Sequence, residues 1–361
     1  MIFKINHNRW LLLLVLLICA ILIHFLKFHP PLIEQYYSQN FYPKLFYISS
    51  SVLGQINVSV GDFLILLVLL SAPLFIYRVI VMLKNHRFLF IIINLFTFLC
   101  SLYILFHITW GLNYHRVSLN KKLGYDLKYT DEELAATTKS IITEINALHS
   151  TLTLNDSLPI TVDYSQKEIN ELLENSKSFH FENNFPKSFH HRLYIKSSFW
   201  SLVLSYMGFA GYLNPITLES QVNKRMPALS YITTAAHEMT HQMGIAPENE
   251  ANFLSFKATT QHNNPYVQYA GYLMGLRYTI GEYYINKPKL ARELYNQINP
   301  GIKKNISEIA RFWRKYQNPF EKYFEKTYNQ YLKAQGQRDG IETYSQMVAY
   351  LVDYYDSLSE Q

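Results

Sequence analysis

The chain has 361 residues, room for one large domain or two modest ones, and its 49% hydrophobic content excludes a disordered polypeptide. Its formal charge of +6 is unevenly spread, because residues 1–111 hold seven Lys and Arg against two Asp and Glu, leaving 26 basic and 25 acidic residues beyond. The excess belongs to the flanks of apolar segments rather than to a basic face, so no nucleic-acid partner is expected. Cys19 and Cys100 both fall inside apolar stretches, which leaves the rest of the chain without a disulfide framework or a cysteine metal site.

In chain order, three stretches at about 10–26, 63–83 and 88–110 are apolar and long enough to cross a bilayer, which takes roughly 20 helical residues. The first resembles a signal-peptide core but is longer than most and lacks a small-residue cleavage site, so it reads as a retained anchor. Lys4 and Arg9 precede it, and Arg78, Lys84 and Arg87 surround the tight link between the second and third stretches. By the positive-inside bias both clusters face the cytoplasm, which puts residues 28–62 and everything after Trp110 on the outer side. Pro73 is tolerable within lipid, where neighbours satisfy the freed carbonyl. The expected organisation is a multi-pass membrane region over 1–111 and an extracytoplasmic domain over 112–361.

Past Asn113 the pattern is that of a water-exposed, mostly helical domain. Thr130 before Asp131, Glu132 and Glu133 predicts a capped helix running to about Leu152. Residues 159–164 and 192–204 alternate and are β-branched enough to predict strands. After Pro227 the chain reads as helix almost to its end, with breaks near Pro265, Pro288, Pro300-Gly301, Pro319 and Gly336 to Gly340. The predicted class is α+β, mostly helical, with a small sheet.

The segment 233–252, Thr-Thr-Ala-Ala-His-Glu-Met-Thr-His-Gln-Met-Gly-Ile-Ala-Pro-Glu-Asn-Glu-Ala-Asn, holds an H-E-x-x-H motif. On a helix His237 and His241 share a face and can present both imidazoles to one ion. Glu238, turned about 100° from them, sits beside that ion as a general base. Pro227 fits the first turn of this helix, and Gly244 stands where a left-handed cap ends it after Met243. A catalytic zinc site needs a third ligand and an open position. If Pro247 opens a second, antiparallel helix, Glu248 lies level with His241 and Asn252 level with His237. That phasing favours Glu248 as third ligand, with Asn252 orienting His237 through its other ring nitrogen. Glu250 is the alternative should the second helix start later.

H-E-x-x-H followed by E-x-x-A-N resembles the gluzincin zinc peptidases, in which a Glu on a following helix completes the site; most gluzincins place far more chain between the second His and that Glu. Glycine three residues after the second His is similar to metzincins, although Pro247 occupies their third-histidine position. Three N-terminal membrane segments, Trp110-Gly-Leu-Asn-Tyr114, Gly208-Phe-Ala-Gly-Tyr-Leu-Asn-Pro215, the extended motif and Tyr331-Leu-Lys-Ala-Gln-Gly-Gln337 together resemble an uncharacterised bacterial family of membrane proteins with a zinc-peptidase signature. The resemblance implies a zincin-like metallopeptidase domain in the bacterial cytoplasmic membrane and gives no substrate.

The expected function is therefore a membrane-anchored, Zn2+-dependent metallopeptidase acting on a peptide or protein substrate. The alternative is a catalytically inactive zincin-like protein that binds a peptide or envelope partner. Gly211 and Asn214 are candidates for pairing with an extended substrate on an edge strand before the active-site helix. Tyr212, His262, Arg277 and Tyr278 are candidates for stabilising the oxyanion, and spacing does not separate them. His190-His191 reads as a solvated loop pair. The tyrosines between 265 and 355 read as helical core and membrane-interface residues.

Overall fold

A computed structural model describes residues 7–181, 192–337 and 346–359. Helices α1 (His7–Leu26), α3 (Val60–Lys84) and α4 (Phe88–Thr109) are long and apolar enough to cross a membrane, and almost none of their apolar surface is covered by the rest of the chain. In lipid that surface has its proper surroundings, and each helix satisfies its own backbone polar groups. At 1.5 Å per residue, even the twenty residues of α1 reach about 30 Å, the thickness of the hydrocarbon core. All three begin or end within three residues of the expected bounds. α1 packs on α4, where Arg9 Nη1 donates to Asn94 Oδ1 at 3.0 Å.

The connection between α1 and α3 does more than link them. Ile33–Phe41 forms a π-helical stretch that continues into α2 (Tyr42–Leu53). Ile33, Tyr37, Tyr42 and Phe46 are buried in the same hydrophobic core as residues from beyond Trp110. Part of the stretch expected as membrane region thus belongs to the core of the domain.

That domain continues with α5 (Asp131–Leu152) and α6 (Gln166–Glu174). Each opens with a reciprocal capping box, Thr130 with Glu133 and Ser165 with Glu168, so the expected N-cap at Thr130 is formed. After the sheet come α8 (Ala228–Gln242), α9 (Glu248–Thr260), α10 (Pro265–Asn286), α11 (Pro288–Asn296), α12 (Pro300–Tyr316), α13 (Glu321–Ala334) and α14 (Met347–Ser359). The breaks at Pro265, Pro288 and Pro300 all fall at first helical turns, where a missing N–H costs nothing.

The sheet has three short strands, β1 (Ile195–Ser197), β2 (Gly211–Leu213) and β3 (Ser220–Val222), with the seven-residue helix α7 (Ser201–Met207) between the first two. The order is β1-β3-β2: Ile195 lies opposite Ser220 in a parallel pair, and Gly211 lies opposite Val222 in an antiparallel one. Two strand expectations are corrected. Residues 159–164 form no strand, because the Asn305 side chain on α12 takes both polar groups of Ile160 at 3.0 Å and does the work of a strand partner. Of 192–204 only 195–197 is strand. Ser198 turns the chain there, its Oγ accepting from Trp200 N at 3.0 Å, and the apolar residues that follow wind into α7.

The first turn of α3 is fastened into this sheet. Ser59 caps it, Glu219 beside β3 accepts from Val60 N (3.1 Å) and Gly61 N (2.5 Å), and Lys196 of β1 pairs with that same carboxylate. A carboxylate at a helix N-terminus complements the partial positive charge of the exposed N–H groups. Asp62 accepts from Ser198 Oγ and Phe199 N, both at 2.9 Å, and from the Tyr212 hydroxyl.

Candidate metal centre

Helix α8 is buried along most of its length, and its C-terminal half is fastened to the sheet and to the loops around it. Ser220 Oγ on β3 donates to Glu238 O at 2.7 Å, and Gln242 stitches its amide to Tyr194 N and O at 3.0 and 2.8 Å. The last carbonyls of a helix lack intrahelical partners. Here Tyr42 OH donates to Gln242 O at 3.0 Å and Arg116 Nη1 to Gly244 O at 2.9 Å. Gly244 adopts φ +79°, the left-handed conformation expected of it, and a Cβ there would also press on the Tyr42 ring at 3.0 Å. Three residues later Pro247 opens α9, and Thr240 Oγ1 bridges the two helices to Ala251 O at 3.3 Å.

This hairpin brings Glu248 to both histidines. Its Oε2 lies 3.2 Å from His237 Nε2 and 3.6 Å from His241 Nε2, and one donor atom from each residue falls within 4.8 Å of the others. Glu250 points elsewhere, accepting from Leu119 N at 2.8 Å with the Tyr350 hydroxyl beside it. Of the two acids weighed from the sequence, Glu248 is the one that meets the imidazoles. His241 Nδ1 donates to Ile245 O at 2.6 Å, which leaves Nε2 as the ring nitrogen that faces Glu248. Tyr328 OH of α13 donates to the other carboxylate oxygen of Glu248 at 2.7 Å.

The donor set fits a divalent ion. Donors about 2.0–2.2 Å from a tetrahedral zinc stand about 3.3–3.6 Å from one another, which matches the two separations to Glu248. Protons can fill the same place. Burial alone would lower the His241 imidazole, but the Glu248 carboxylate outweighs it and holds it up at about 9. Burial likewise works to raise Glu248, and the two imidazoles hold it well below the usual range. A carboxylate that favours positive charge on the His241 imidazole also favours a cation that displaces its proton.

Glu238 sits beside this cluster with no ion pair among the described residues. Burial pushes its carboxyl up to about 7, the two histidines pulling it down and Glu248 adding to the rise. A base poised near neutrality is what proton transfer at ordinary pH requires. Its Oε2 is buried without a hydrogen-bond partner, as are His237 Nδ1 and Asn252 Nδ2. The bond expected between Asn252 and His237 is therefore not formed; Asn252 lines the cavity in front of the cluster instead.

The cavity measures about 1020 Å³ and is walled by His237, Glu238, His241 and Glu248 on one side and by the edge strand β2 beside them. Gly211 lies so close to Glu238 that a Cβ there would stand 2.8 Å from its Oε1 and 2.8 Å from Gln221 O. Asn214 faces away from the cavity, its Oδ1 accepting from Ile216 N and Thr217 N at 3.0 and 3.1 Å in the turn that leads to β3. Its expected contact with substrate is replaced by this structural role. Among the oxyanion candidates Arg277 and Tyr278 of α10 line the cavity, while His262 is held by Leu172 O and Asn264 N. Tyr212 lines it too, but its hydroxyl is engaged by Asp62. Burial pushes the Tyr278 phenol up to about 12, with Arg277 opposing and Glu248 reinforcing, so it remains a donor. The His190-His191 pair lies outside the described residues.

The aromatic residues near the cluster were not legible as site residues. Trp110 meets His241 edge-on with ring centroids 5.9 Å apart, Tyr331 OH donates to Tyr114 OH at 3.3 Å, and both tyrosines line the cavity beside Tyr328. A signal existed in the spacing of Tyr328 and Tyr331, three apart on one face of α13.

A family model described as "Protein of unknown function (DUF3810)" matches residues 37–352. The chain belongs to this family. No curated protein and no solved structure matches it. The DUF3810 span begins at Tyr37, inside the stretch that packs under Gly244, and it takes in α3 and α4 and all the cavity-lining residues while leaving out α1.

Proposed function

We propose that this protein is a membrane-anchored, zinc-dependent metallopeptidase whose working side lies outside the cytoplasm. The observation that carries the reading is the convergence of His237, His241 and Glu248 within 4.8 Å of one another, with Glu248 Oε2 3.2 and 3.6 Å from the two imidazole nitrogens and Glu238 Oε2 unpaired beside them. The two histidines and Glu248 would hold the ion, with Tyr328 orienting Glu248 and Ile245 O orienting His241. When bound, zinc supplies Lewis acidity, polarising a carbonyl and lowering the pKa of a coordinated water to about 7.

The chain's own groups supply the rest. Glu238 accepts a proton at its unpaired carboxylate oxygen and returns it to the leaving amine. Gly211 admits an extended chain close to that carboxylate, and the backbone of β2, paired only with β3 among the described residues, offers a peptide an edge to lie along. Arg277 and Tyr278 offer donors to the developing oxyanion.

Purified protein in lipid nanodiscs, assayed on a mixed peptide library with metal content read by mass spectrometry, tests the reading. Glu238→Gln should retain one zinc per chain and lose at least about a thousandfold in cleavage. Undiminished cleavage by that variant would refute the mechanism. Zinc bound without cleavage of any peptide by the wild type would favour a peptide-binding protein built on the same site.

A further inference from the structure

We propose that the peptide substrates reach this site from the bilayer: the ligand is a chain with an apolar, membrane-inserted segment whose outer flank extends to the metal centre. The inference rests on the peptidase reading for the chemistry, but the route of entry stands on geometry of its own.

The cavity that contains His237, Glu238 and Glu248 is also lined by Ile65 and Leu69 of α3. These residues lie five and nine positions after Val60, hence about 7.5 and 13.5 Å along the helix, within a segment long and apolar enough to span a membrane. One continuous space therefore joins the catalytic cluster to the flank of a membrane helix. Trp200, Val203 and Met207 line the stretch between them.

The outside of this wall is equally apolar. Leu202 and Tyr206 on α7, with Phe199 just before it and Ile216 after β2, are each close to half exposed. Such a patch is a liability in water but suits the boundary between headgroups and acyl chains. Its depth is fixed by its contacts: Phe199 N and Ser198 Oγ both donate to Asp62 in the first turn of α3, and Trp200 Nε1 donates to Asp62 O at 3.3 Å. Phe199 is thus level with the start of a membrane-crossing helix. The patch continues the surface of α3 that already faces lipid, and the Tyr212 hydroxyl fastens β2 to the same aspartate. An apolar chain lying along α3 at Leu69 would pass Trp200 and arrive at Gly211 and Glu238 without crossing bulk water.

The test uses the full-length protein in nanodiscs of phosphatidylethanolamine and phosphatidylglycerol, carrying Glu238→Gln so that the probe survives. The probe is a synthetic peptide with an apolar helix of about 20 residues and a polar, fluorescent outer flank. A benzophenone amino acid is placed at Leu69, or, as control for mere co-residence in the disc, at the neighbouring lipid-exposed Leu70. Adducts with the probe at Leu69 should exceed those at Leu70 by about tenfold, beyond what shared confinement in one bilayer produces. Equal adducts at the two positions, adducts with lipid alone, or none would overturn the proposal. In the wild-type background Leu202→Glu, a change at a half-exposed position, should slow cleavage of the anchored probe while sparing its free polar flank; equal slowing of both would also count against entry from the bilayer. Selective adducts at Leu69 without cleavage of either peptide by the wild type would uphold the route and refute the peptidase reading.

Discussion

Two clusters of buried charge flank the α8–α9 hairpin, and they are built on opposite principles. At the turn, Glu34 accepts from Arg116 Nε and Nη2 at 2.9 and 2.8 Å and from Lys122 Nζ at 2.5 Å, while Arg116 Nη1 goes to Gly244 O. In the cavity, Glu238 Oε2 and His237 Nδ1 have no partner, and His237, His241 and Glu248 lean on one another alone apart from Tyr328 and Ile245. Burying charge or polar groups without partners costs several kcal/mol, so a cluster left incomplete is retained for something other than stability. The first cluster ties the hairpin to the stretch before it; the second leaves Glu238 Oε2 and His237 Nδ1 with hydrogen-bonding capacity to spare.

The largest expected effect separates the two acids that the sequence could not rank by composition. Glu248→Gln should lower bound zinc below about one-tenth of wild type and abolish cleavage, since an amide is a far poorer ligand than a carboxylate. Glu250→Gln should keep its metal, because the amide oxygen can still accept from Leu119 N. Metal analysis of the two proteins side by side decides it; equal zinc loss would remove Glu248 from the site. Next in size is Gly211→Ala. A methyl group 2.8 Å from Glu238 Oε1 must shift either that carboxylate or the strand. Misplacement on the order of 1 Å costs about a hundredfold in rate, so kcat should fall by that order while zinc content stays at wild type.

How far these clusters were legible follows from the distance in sequence between their members. The motif cluster was readable because helical periodicity relates positions four apart and Pro247 and Gly244 punctuate the hairpin; Glu248 followed from that phasing. Asn252 was phased onto the right helix face, yet phase does not specify whether a side chain makes a hydrogen bond. Asn214 shows the same limit in reverse: a residue beside an edge strand can spend its side chain on the turn. The Tyr328–Glu248 contact and the Glu34–Arg116 pair were out of reach because their members meet across 80 and 82 positions, and no periodicity spans that. The three membrane helices were the easiest to read, since twenty apolar residues have one common physical use. Strands were the hardest, because three-residue elements carry too little alternation to distinguish them from Ile160 held by Asn305 or from the helix α7.

The closed cluster has its own smaller test. Arg116→Met leaves Glu34 buried with only Lys122 beside it and frees Gly244 O, which should destabilise the fold by about 3 kcal/mol, the range found when one member of a buried pair is removed. Thermal unfolding in nanodiscs reads this, and bound zinc should raise both transitions equally if the cluster at the turn only supports the site. An unchanged melting temperature would show that the hairpin does not need its clamp.

The smallest effect, and the one that isolates the clamp from every other acid, is the pH dependence of Glu34. Burial by itself would raise this carboxyl, but the hydrogen bond and charge of Arg116, followed by those of Lys122, bring it from its ordinary 4.5 down to about 2. A carboxyl whose folded value is depressed contributes stability in full above its unfolded value and loses it as pH falls through the folded one. The contribution of Glu34 is therefore complete above about pH 4.5 and disappears toward pH 2. Other carboxyls titrate in the same window, so the informative quantity is the difference between wild type and Glu34→Gln rather than either curve alone. That difference should be constant at neutral pH and narrow steadily between pH 4.5 and 2. A gap that stays constant through the acid range would mean that Glu34 holds Arg116 by shape and hydrogen bonding without the charge.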